Sequence, residues 1–558
     1  MKRKITALLF ACCVTTLAAQ SGQPQPPENY RPRIHFSPAK GWMSDPNGLV
    51  YYDGEYHLCY QHIPFDENGN LPWGGMHWGH AVSRDLLNWQ HMPIALAPDS
   101  LGYIFSGCCV ADLNNTSGLG TAADPPILAI FTYYDPVAAA QGRIETQSQG
   151  LAYSIDRGRT WTKYAANPVL PNPGIADFRD PHIVRHEPSG QWIMVLTAGK
   201  AVRFYGSPDC LHWEYLSEFG HDRGSHVGPW ECPDLFPLRV EGSKEIKWVL
   251  LASVVNFTET PDKLATATQY FIGDFDGKHF TSEQTDTLWI DYGKDNYAGI
   301  TFDNAPDDRR IFVGWMHSHQ YAAAAQGHTT QSWSGAATFP RELSIVRSAD
   351  GYRLKSKPVR ELERLRGRSV KLKRQKINRT ATLSDRIPFD KAPIELDLTF
   401  DGIDGPDAPS RYGIRLRNDL GEYVSMEYDR KKRLFRVDRT QAAAVRFSDP
   451  FASVQTAPYE PETGTMRWRL LVDVASMELF AADGRIVFTD VFFPGKPFDI
   501  IELFTEGGNV TLKKGDVTAL ETIRCNPVEP WPHAVRNRQP GEWERLATPA
   551  GTFRLLVI

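Results

Sequence analysis

Hydrophobic and polar residues alternate along several segments in the second half of the chain. The clearest runs are Ile394–Phe400, Met466–Val474, Met477–Phe480 and Ile500–Phe504. A period of two places every second side chain on the same face, which is typical of β-strands with one buried face. Short Asp-Gly and Gly-Gly turns separate such runs, as in stacked antiparallel sheets. The pattern predicts a β-sandwich over residues 377–558.

A longer repeat marks the first half. A strand-like run is followed by a Ser-x-Asp or Gly-Asp-x-Asp element and then by an aromatic residue, in Ser83–Trp89, Ser154–Trp161, Ser207–Trp213 and, more weakly, Gly273–Phe280. The acid can accept hydrogen bonds from turn amides, and the aromatic ring can return to the interior of the next strand.

The spacing of the repeat indicates a β-propeller. Its acids, at positions 85, 156, 209 and 276, lie 71, 53 and 67 residues apart, which suits a four-stranded blade with its loops. Residues 31–345 would hold five such units. The repeat therefore predicts a five-bladed β-propeller, bounded at 31–355, in an all-β chain. Coincidental Ser-x-Asp turns, each followed by a tryptophan, in a β-sandwich are the alternative.

Residues 356–376, between the two predicted domains, are rich in basic side chains. The segment includes one helix-like stretch, Val359–Leu365, with leucines that can point inward. It lacks the aromatic residues on which nucleic acid bases stack. We therefore expect a linker with a short docking helix.

Composition narrows the class of protein. With 42% hydrophobic and 23% charged residues, 44 Gly and 40 Pro, the chain is neither disordered nor collagenous. Its 61 basic and 66 acidic residues give a net charge of −5, which argues against a nucleic-acid-binding protein. The cysteines beyond the N-terminal segment have no zinc-like spacing, so buried thiols are expected.

The N-terminal segment resembles an export signal. Lys2, Arg3 and Lys4 precede a short apolar run, and small residues precede Gln20, which predicts a signal peptide over residues 1–19. A lipoprotein anchored at Cys12 is the alternative. No later run reaches the length of a transmembrane segment, so we expect an exported bacterial protein, periplasmic or secreted.

Three acidic residues stand out because their neighbours constrain the backbone. Asp45 precedes a Pro-Asn-Gly turn that would project it from a strand end, although an ordinary Asx-turn is the alternative. Asp180 also precedes proline and follows Arg179, whose guanidinium favours an ionised carboxylate or a structural salt bridge. Glu231 lies between Trp230 and Cys232. Apolar surroundings of this kind raise the pKa of a carboxylic acid, which suits a general acid. The alternative is that Glu231 is an ordinary residue at the rim of a strand.

The spacing of these acids places each in a different blade. Blades of a propeller direct corresponding strand ends toward the central axis, so the three carboxyl groups could converge in one funnel. Paired carboxyl groups are the catalytic groups of glycosidases. Aromatic rings that could stack on sugars in a concave site are those of Trp42, Trp73, Phe105, Trp230 and Trp315.

With these motifs in order, residues 31–558 resemble glycoside hydrolase family 32, which includes invertases, inulinases and levanases. The resemblance is carried by His35–Pro38, Trp42–Gly48, Tyr60-Gln61, Trp73, Trp78–Ala81, Phe105–Gly107, Phe178–Pro181, Trp230–Pro233, Asp291–Gly293, Tyr297-Ala298, Gly314-Trp315 and Pro340–Leu343. It implies a five-bladed propeller followed by a β-sandwich, with no metal and no cofactor.

The resemblance also implies residue roles for hydrolysis of fructans or sucrose with retention of configuration. Asp45 would be the nucleophile, Glu231 the general acid and base, and Asp180 a carboxylate that holds fructose hydroxyl groups. The sugar pocket would comprise Trp42, Met43, Ser44, Asn47, Gln61, Trp73, Phe105, Ser106, Arg179 and Trp315. Ser44 departs from the asparagine usual in the family, which bears on donor preference and on the balance between hydrolysis and transfer.

The sequence leaves several functions open. Exo-acting hydrolysis that releases fructose is favoured, with an endo-acting levanase or inulinase and a fructosyltransferase as alternatives. A carbohydrate-binding propeller without turnover is the remote alternative, because both the predicted nucleophile and the predicted acid are present. The β-sandwich is expected to support the propeller, with sugar binding as its alternative role.

Overall fold

The computed structural model describes residues 30–65, 74–255, 266–326, 332–386 and 393–526. The predicted signal peptide with Cys12, residues 527–558 of the predicted sandwich, and Trp73 lie outside the described residues. None of the described helices is both long enough and apolar enough to span a lipid bilayer.

Five sheets follow one another along the chain, and each is built on four antiparallel strands. Blade 1 comprises Gly41–Tyr52, Glu55–Ile63, His77–Ser83 and Trp89–Leu96. Blade 2 comprises Tyr103–Ala111, Ile127–Tyr134, Gln147–Ser154 and Thr162–Lys163. Blade 3 comprises Phe178–His186, Gln191–Ala198, Val202–Ser207 and Glu214–Phe219. Blade 4 comprises Trp230–Arg239, Ile246–Val255, Thr266–Phe275 and Phe280–Thr281, with Leu288–Trp289 also pairing to its third strand. Blade 5 comprises Tyr297–Thr301, Ile311–Trp315, Arg341–Ser348 and Gly351–Pro358.

The first strands of the five blades contact one another in a closed ring, which confirms the predicted five-bladed propeller. The Ser-x-Asp elements lie at the turn between the third and fourth strands. In blade 1 the Asp85 carboxylate accepts hydrogen bonds from the amides of Leu87 and Asn88, at 3.1 and 2.8 Å. Blade 5 has Ser348 and Asp350 at the same turn, a copy that sequence inspection misses because no tryptophan follows it.

The second domain is a sandwich of two β-sheets, as predicted. One sheet contains Arg366–Leu372, Gln375–Ile377, Ile394–Asp401, Thr465–Val472, Ser476–Ala481, Ile486–Val491 and Val510–Leu520. The other contains Thr380–Thr382, Arg411–Arg417, Tyr423–Asp429, Leu434–Gln441, Val454–Pro458 and Ile500–Glu506. The alternating apolar side chains of both sheets form one buried core around Trp468, Tyr412 and Phe435.

Helices are few and short in the described part of the chain. Two are α-helical, Pro136–Ala140 and Ala322–Ala325. Four are 3-10 helices, Pro306–Asp308, Arg360–Leu365, Ser384–Arg386 and Ala482–Gly484.

The predicted linker over residues 356–376 needs correction. Its short helix is present, and Leu362 and Leu365 are buried as expected. However, the fifth blade extends to Pro358, and Arg366–Leu372 is already an edge strand of the sandwich that pairs with Val510–Leu520. In this edge strand only Leu372 is buried, so its sequence has the polar character of a linker.

Two short parallel pairings complete the edges of blade 1. Trp333–Ser334 pairs with Gly41–Trp42 at the inner strand, and Cys525–Asn526 pairs with Trp89–Gln90 at the outer strand. The cysteines Cys59, Cys108, Cys109, Cys210 and Cys232 are free and buried as expected, whereas Cys525 is exposed because it lies on this outer edge.

Buried charges join the propeller to the sandwich. Arg341 of blade 5 has no exposed surface; it donates to Asp291 of the propeller at 2.8 Å and to Glu478 of the sandwich at 2.9 Å. Glu478 also accepts a hydrogen bond from the backbone amide of Phe339. Since each charge in this seam has opposite charges or donors beside it, the two domains can exclude water along their contact.

His35 extends this seam to the N-terminal segment. Its Nδ1 and Nε2 atoms lie 2.8 Å from carboxylate oxygens of Asp473 and Glu478, respectively. Burial opposes the charged imidazole, but the hydrogen bonds and charges of these two carboxylates outweigh burial and raise the pKa of His35 to about 9. The imidazole is therefore protonated at neutral pH.

This pKa predicts a pH dependence of stability. The stabilisation from a raised histidine pKa is complete below about pH 6.5 and is lost as pH rises through about 9, with an amplitude on the order of 3 kcal/mol. We expect His35→Gln to lower the free energy of unfolding and to flatten its decline over this range, measured by chemical denaturation. The matched control His212→Gln changes an exposed histidine that also pairs with an aspartate, Asp209. Parallel curves for the wild type and His35→Gln would contradict the prediction.

Candidate active site

The first strand of every blade contains a β-bulge. Strand pairing skips residues between Met43 and Pro46, Ile104 and Gly107, Arg179 and His182, Glu231 and Asp234, and Tyr297 and Ile300. Bulges redirect side chains and bend the strand. Since these strands form the central ring, the bulges direct residues of all five blades toward one region at the propeller axis.

The sequence explains why the bulges form where they do. Each of the five skipped segments contains or adjoins a proline or a glycine, residues that weaken regular pairing. Asp180, Cys232 and Ala298 take positive φ values of 59°, 43° and 51° inside their bulges. Such backbone conformations are costly for residues with a side chain and are typical of functional sites.

The three predicted carboxylates meet in this region. Asp45, Asp180 and Glu231 are 8%, 5% and 4% exposed. Cys232 contacts two of them: its amide donates to Asp180 Oδ2 at 3.1 Å, and its thiol donates to Asp45 Oδ2 at 3.5 Å. Of the three, Asp180 lines a small cavity beside the site, together with Asn47, Ser106, Cys232 and Ile300. Three acids from three blades therefore share one buried site.

Glu231 is held by a cation and a phenol. Arg179 Nη2 donates to Glu231 Oε1 at 2.8 Å, and the Tyr297 hydroxyl donates to Glu231 Oε2. The carboxylates of Glu231, Asp180 and Asp177 together hold the pKa of Arg179 above its usual range despite burial. The guanidinium thus remains charged and fixes one oxygen of Glu231, while Tyr297 fixes the other.

Asp45 is held from the neighbouring blade. The Ser106 hydroxyl donates to Asp45 Oδ2 at 2.7 Å, and the amide of Gly107 donates to the Asn47 side-chain carbonyl at 3.2 Å. Burial raises the pKa of Asp45, and the nearby Glu231 charge adds to this, whereas His319, Ser106 and Cys232 oppose it. The carboxylate therefore takes up a proton at a higher pH than an exposed aspartate does.

The electrostatics of Asp180 differ from the expectation based on its neighbour Arg179. Burial raises the pKa of Asp180 to about 7, and the charges of Glu231 and Asp45 contribute to the rise, although Arg179 opposes it. The reason is geometric: Arg179 aims its Nη atoms at Glu231 and Asp177, and only its Nε lies near Asp180, at 3.7 Å. Asp180 can therefore be protonated or ionised near neutral pH.

Aromatic residues surround the carboxylates. Trp42, Phe105, Tyr297 and Trp315 belong to one buried cluster together with Cys232. The ring of Trp42 lies 5.7 Å from that of Trp315, and Phe105 stacks on Tyr134 at 4.7 Å. Trp230, which sequence inspection offered as a sugar-stacking ring, has no exposed surface and stacks on Phe271 in the core between blades.

The remaining predicted pocket residues separate into two groups. Met43 has no exposed surface and packs in a hydrophobic core cluster with residues of blades 1 and 5. Ser44 and Gln61 are also buried, at 5% and 1% exposed. Neither polar atom of the Gln61 amide has a hydrogen-bond partner among the described residues, which leaves this amide able to bind a ligand.

Sequence reasoning missed several residues of the site. Thr132 accepts a hydrogen bond from the Asp180 amide at 2.9 Å, and nothing in its local sequence marks it. Tyr297 stands within a recognised motif but has a contact to Glu231 that only the fold reveals. His319 acts on the pKa of Asp45 from an alanine-rich segment that has no catalytic signature.

Comparisons with known proteins agree with this arrangement. Residues 35–358 match the model described as "Glycosyl hydrolases family 32 N-terminal domain", and residues 361–519 match "Glycosyl hydrolases family 32 C terminal". The chain is 42% identical over 502 residues to a levanase of Bacillus subtilis (strain 168), a match that covers 89% of this chain and 71% of the levanase. It is 35% identical over 539 residues to an extracellular exo-inulinase of Aspergillus ficuum, with 90% and 96% of the two chains covered.

A solved structure has the same architecture. The exo-inulinase of Aspergillus awamori superposes with a TM-score of 0.78 at 32% sequence identity. The superposition covers 88% of this chain and 98% of that enzyme. Both domains described above are therefore part of the similarity.

The contact between Ser106 and Asp45 gives a prediction. A hydrogen bond to a carboxylate stabilises its ionised form, so Ser106→Ala should raise the pKa of Asp45 further. This pKa can be measured by NMR titration of protein whose aspartate carboxyl groups carry ¹³C. The Asp45→Asn variant assigns the signal of Asp45. Ser243→Ala, in an exposed turn, serves as the control. If the pKa of Asp45 is the same in Ser106→Ala as in the wild type, the hydrogen bond does not stabilise the ionised form.

Proposed function

The chain belongs to glycosyl hydrolase family 32, and we propose that it hydrolyses the β-fructofuranosyl linkages of fructans such as levan or inulin, and of sucrose. It is a glycoside hydrolase, and its relatives include a levanase and exo-inulinases. The observation that carries the proposal is the meeting of Asp45, Asp180 and Glu231, from three blades, in one buried site.

In the first step of the proposed reaction, the Asp45 carboxylate attacks the anomeric carbon of the terminal fructosyl unit. Glu231 donates its proton to the glycosidic oxygen, so the bond to the leaving sugar breaks and a covalent fructosyl–Asp45 ester forms. The contacts support this division of labour. Asp45 has a hydroxyl donor that favours its charged form, and Glu231 is oriented at both oxygens by Arg179 and Tyr297.

In the second step a water molecule replaces the leaving sugar. Glu231, now ionised, accepts a proton from this water, whose oxygen attacks the anomeric carbon and releases Asp45. The product is fructose with its original configuration. The charged Arg179 beside Glu231 stabilises the ionised form that this step requires.

Asp180 and Gln61 would hold the fructosyl unit. Asp180, with its pKa of about 7, can accept or donate a hydrogen bond to a sugar hydroxyl group. The buried amide of Gln61 offers donors and an acceptor that are unpartnered among the described residues. Trp42 and Phe105 supply apolar walls, while Ser44 beside the nucleophile is the position at which transfer could compete with hydrolysis.

We infer exo action and export as the finer properties. Exo action is supported by the names of the exo-inulinase relatives. Endo action or fructosyl transfer would use the same carboxylates, so they remain the alternatives. Export is supported by the basic and apolar N-terminal sequence and by the extracellular relative.

The role of Glu231 predicts the outcome of one substitution. Glu231→Gln should lower kcat for levan, inulin and sucrose by about a thousandfold or more, because proton transfer and activation of water are both lost. Binding of fructose, measured by calorimetry, should persist. Glu245→Gln, on the rim of blade 4, is the matched control and should keep turnover. Turnover close to that of the wild type in Glu231→Gln would rule out the assigned role.

Parallel incubation of the enzyme with levan, inulin and sucrose tests the proposed function itself. Exo action predicts free fructose as the only early product from both polymers, resolved by chromatography. A ladder of oligosaccharides would instead show endo action, and trisaccharides at high sucrose would show transfer. Absence of any fructose or oligosaccharide from all three substrates would contradict the proposal.

A further inference from the structure

Two buried glutamines, Gln147 and Gln149, begin the third strand of blade 2. Gln149 pairs with Thr132 of the second strand, so the three side chains lie on one face of the blade. Further along this face, Ile130 and Leu151 pack in the apolar core between blades 2 and 3. Thr132 and Gln149 have no exposed surface, and Gln147 is 7% exposed. Since burial of a polar group is costly unless it is hydrogen-bonded, these side chains need polar partners.

All three side chains find their partners on the first strand of blade 3. The Phe178 amide donates to the side-chain carbonyl of Gln147 at 2.7 Å, and the Phe178 carbonyl accepts from Gln149 Nε2 at 2.9 Å. The Thr132 hydroxyl donates to Gln149 Oε1 at 2.7 Å and accepts from the Asp180 amide at 2.9 Å. We call the side chains of Thr132, Gln147 and Gln149 the polar clamp.

The donors fix the direction of these bonds. A backbone amide can only donate, so the Thr132 hydroxyl accepts from Asp180 and has its own proton left for Gln149. The Gln149 amide must then turn its oxygen to Thr132 and its nitrogen to the Phe178 carbonyl. From Asp180 to Phe178 the bonds therefore form one chain, in which loss of one member disturbs the others.

The polar clamp holds the part of the strand that its own sheet leaves unpaired. Pairing with the second strand of blade 3 skips Asp180 and Pro181, and Asp180 has a φ of 59°. The bulge removes the Asp180 amide from the ladder of blade 3, and Thr132 supplies its partner. A left-handed backbone conformation is costly and persists where the surroundings fix it. Blade 2 provides this support for the bulge of blade 3.

Two side chains of the site depend on the clamped segment. Arg179 lies between the two clamped residues and donates to Glu231 at 2.8 Å and to Asp177. The Asp180 carboxylate accepts from the Cys232 amide at 3.1 Å. Because the two side chains project from adjacent residues, a rotation of this segment would carry both away from their partners.

We propose that Thr132, Gln147 and Gln149 are positioning residues for the reaction, a role that rests on the proposed function of the site. By fixing the backbone on both sides of Arg179, the polar clamp keeps the guanidinium on Glu231. It also keeps the Asp180 carboxylate in place for the fructosyl unit. The three side chains act through Arg179 and Asp180 and not by contact with the sugar.

Steady-state kinetics on sucrose tests this role at Thr132. Thr132→Val keeps the shape of the side chain but removes the hydroxyl, so the Asp180 amide and the Gln149 carbonyl lose their partner. We expect kcat/KM to fall by about tenfold to a hundredfold, because small displacements of catalytic groups are costly. Thr132→Ser, which keeps the hydroxyl, should recover most of this activity.

Thr116→Val is the matched control. The Thr116 hydroxyl also joins blade 2 to blade 3, since it accepts from Trp192 Nε1 at 2.8 Å. Trp192 pairs with Arg185, beyond the bulge, so this variant should keep turnover.

A double variant separates positioning from a general loss of stability. Gln149→Met should lower kcat/KM by a factor similar to that of Thr132→Val. The variant with both substitutions should be no worse than the more severe single one, because both break the same chain of hydrogen bonds. Losses that multiply would overturn the proposal. So would equal losses in Thr132→Val and Thr116→Val, or a kcat/KM of Thr132→Val within about twofold of the wild type.

Hydrogen exchange read by mass spectrometry covers variants that fold poorly. Gln147→Met is the mildest change, since it removes the bond to the Phe178 amide at the edge of the polar clamp. Amides of residues 178–183 should exchange faster in this variant than in the wild type. Unchanged exchange at these residues would overturn the proposal. Failure of the wild type to release fructose would contradict the proposed function alone, since exchange does not depend on turnover.

Discussion

The site depends on one backbone constraint, the interruption of strand pairing at the bulge of each central strand. A regular strand would point alternate residues into the spaces between blades, where they would serve packing alone. The bulges bring Asp45, Ser106, Asp180, Cys232 and Ala298 into the axial region instead. The cost appears as positive φ at three of these positions, and the closed ring of five blades supplies the packing that tolerates it.

Three carboxyl groups buried together repel one another, and the structure compensates with few groups. The guanidinium of Arg179 contacts Glu231. Each acid also accepts a hydrogen bond: Asp45 from Ser106, Asp180 from the amide of Cys232, and Glu231 from Tyr297. Because compensation is incomplete at Asp180, its pKa stays near 7 while Arg179 remains charged.

The sandwich supports this arrangement from a distance. Its Glu478 binds Arg341 and His35, which fixes the blade that also carries Tyr297.

The sequence was sufficient for the architecture and for the three acids. Alternation predicted the sandwich, and the Ser-x-Asp repeat predicted the blades because its aspartates make the local turn bonds that the structure contains. It was insufficient where a property depends on distant residues. The edge strand Arg366–Leu372 has a linker's composition, Trp230 is a core residue despite its motif, and the direction of Arg179 follows from the bulge and not from sequence adjacency. His319 and Thr132 could be found only once the blades were placed around the axis.

The parallel pairing of Cys525–Asn526 with Trp89–Gln90 has a consequence for the order of folding. The outer strand of blade 1 is made early in synthesis, but the strand that covers its edge is more than 400 residues further along the chain. The inner strand waits for Trp333–Ser334, which precedes the sandwich in the chain. A nascent propeller therefore exposes an unpaired edge until the sandwich has formed, and unpaired edges favour association between chains. The strand Cys525–Asn526, which follows the sandwich in the chain, thus covers the outer edge of the propeller and protects it from aggregation.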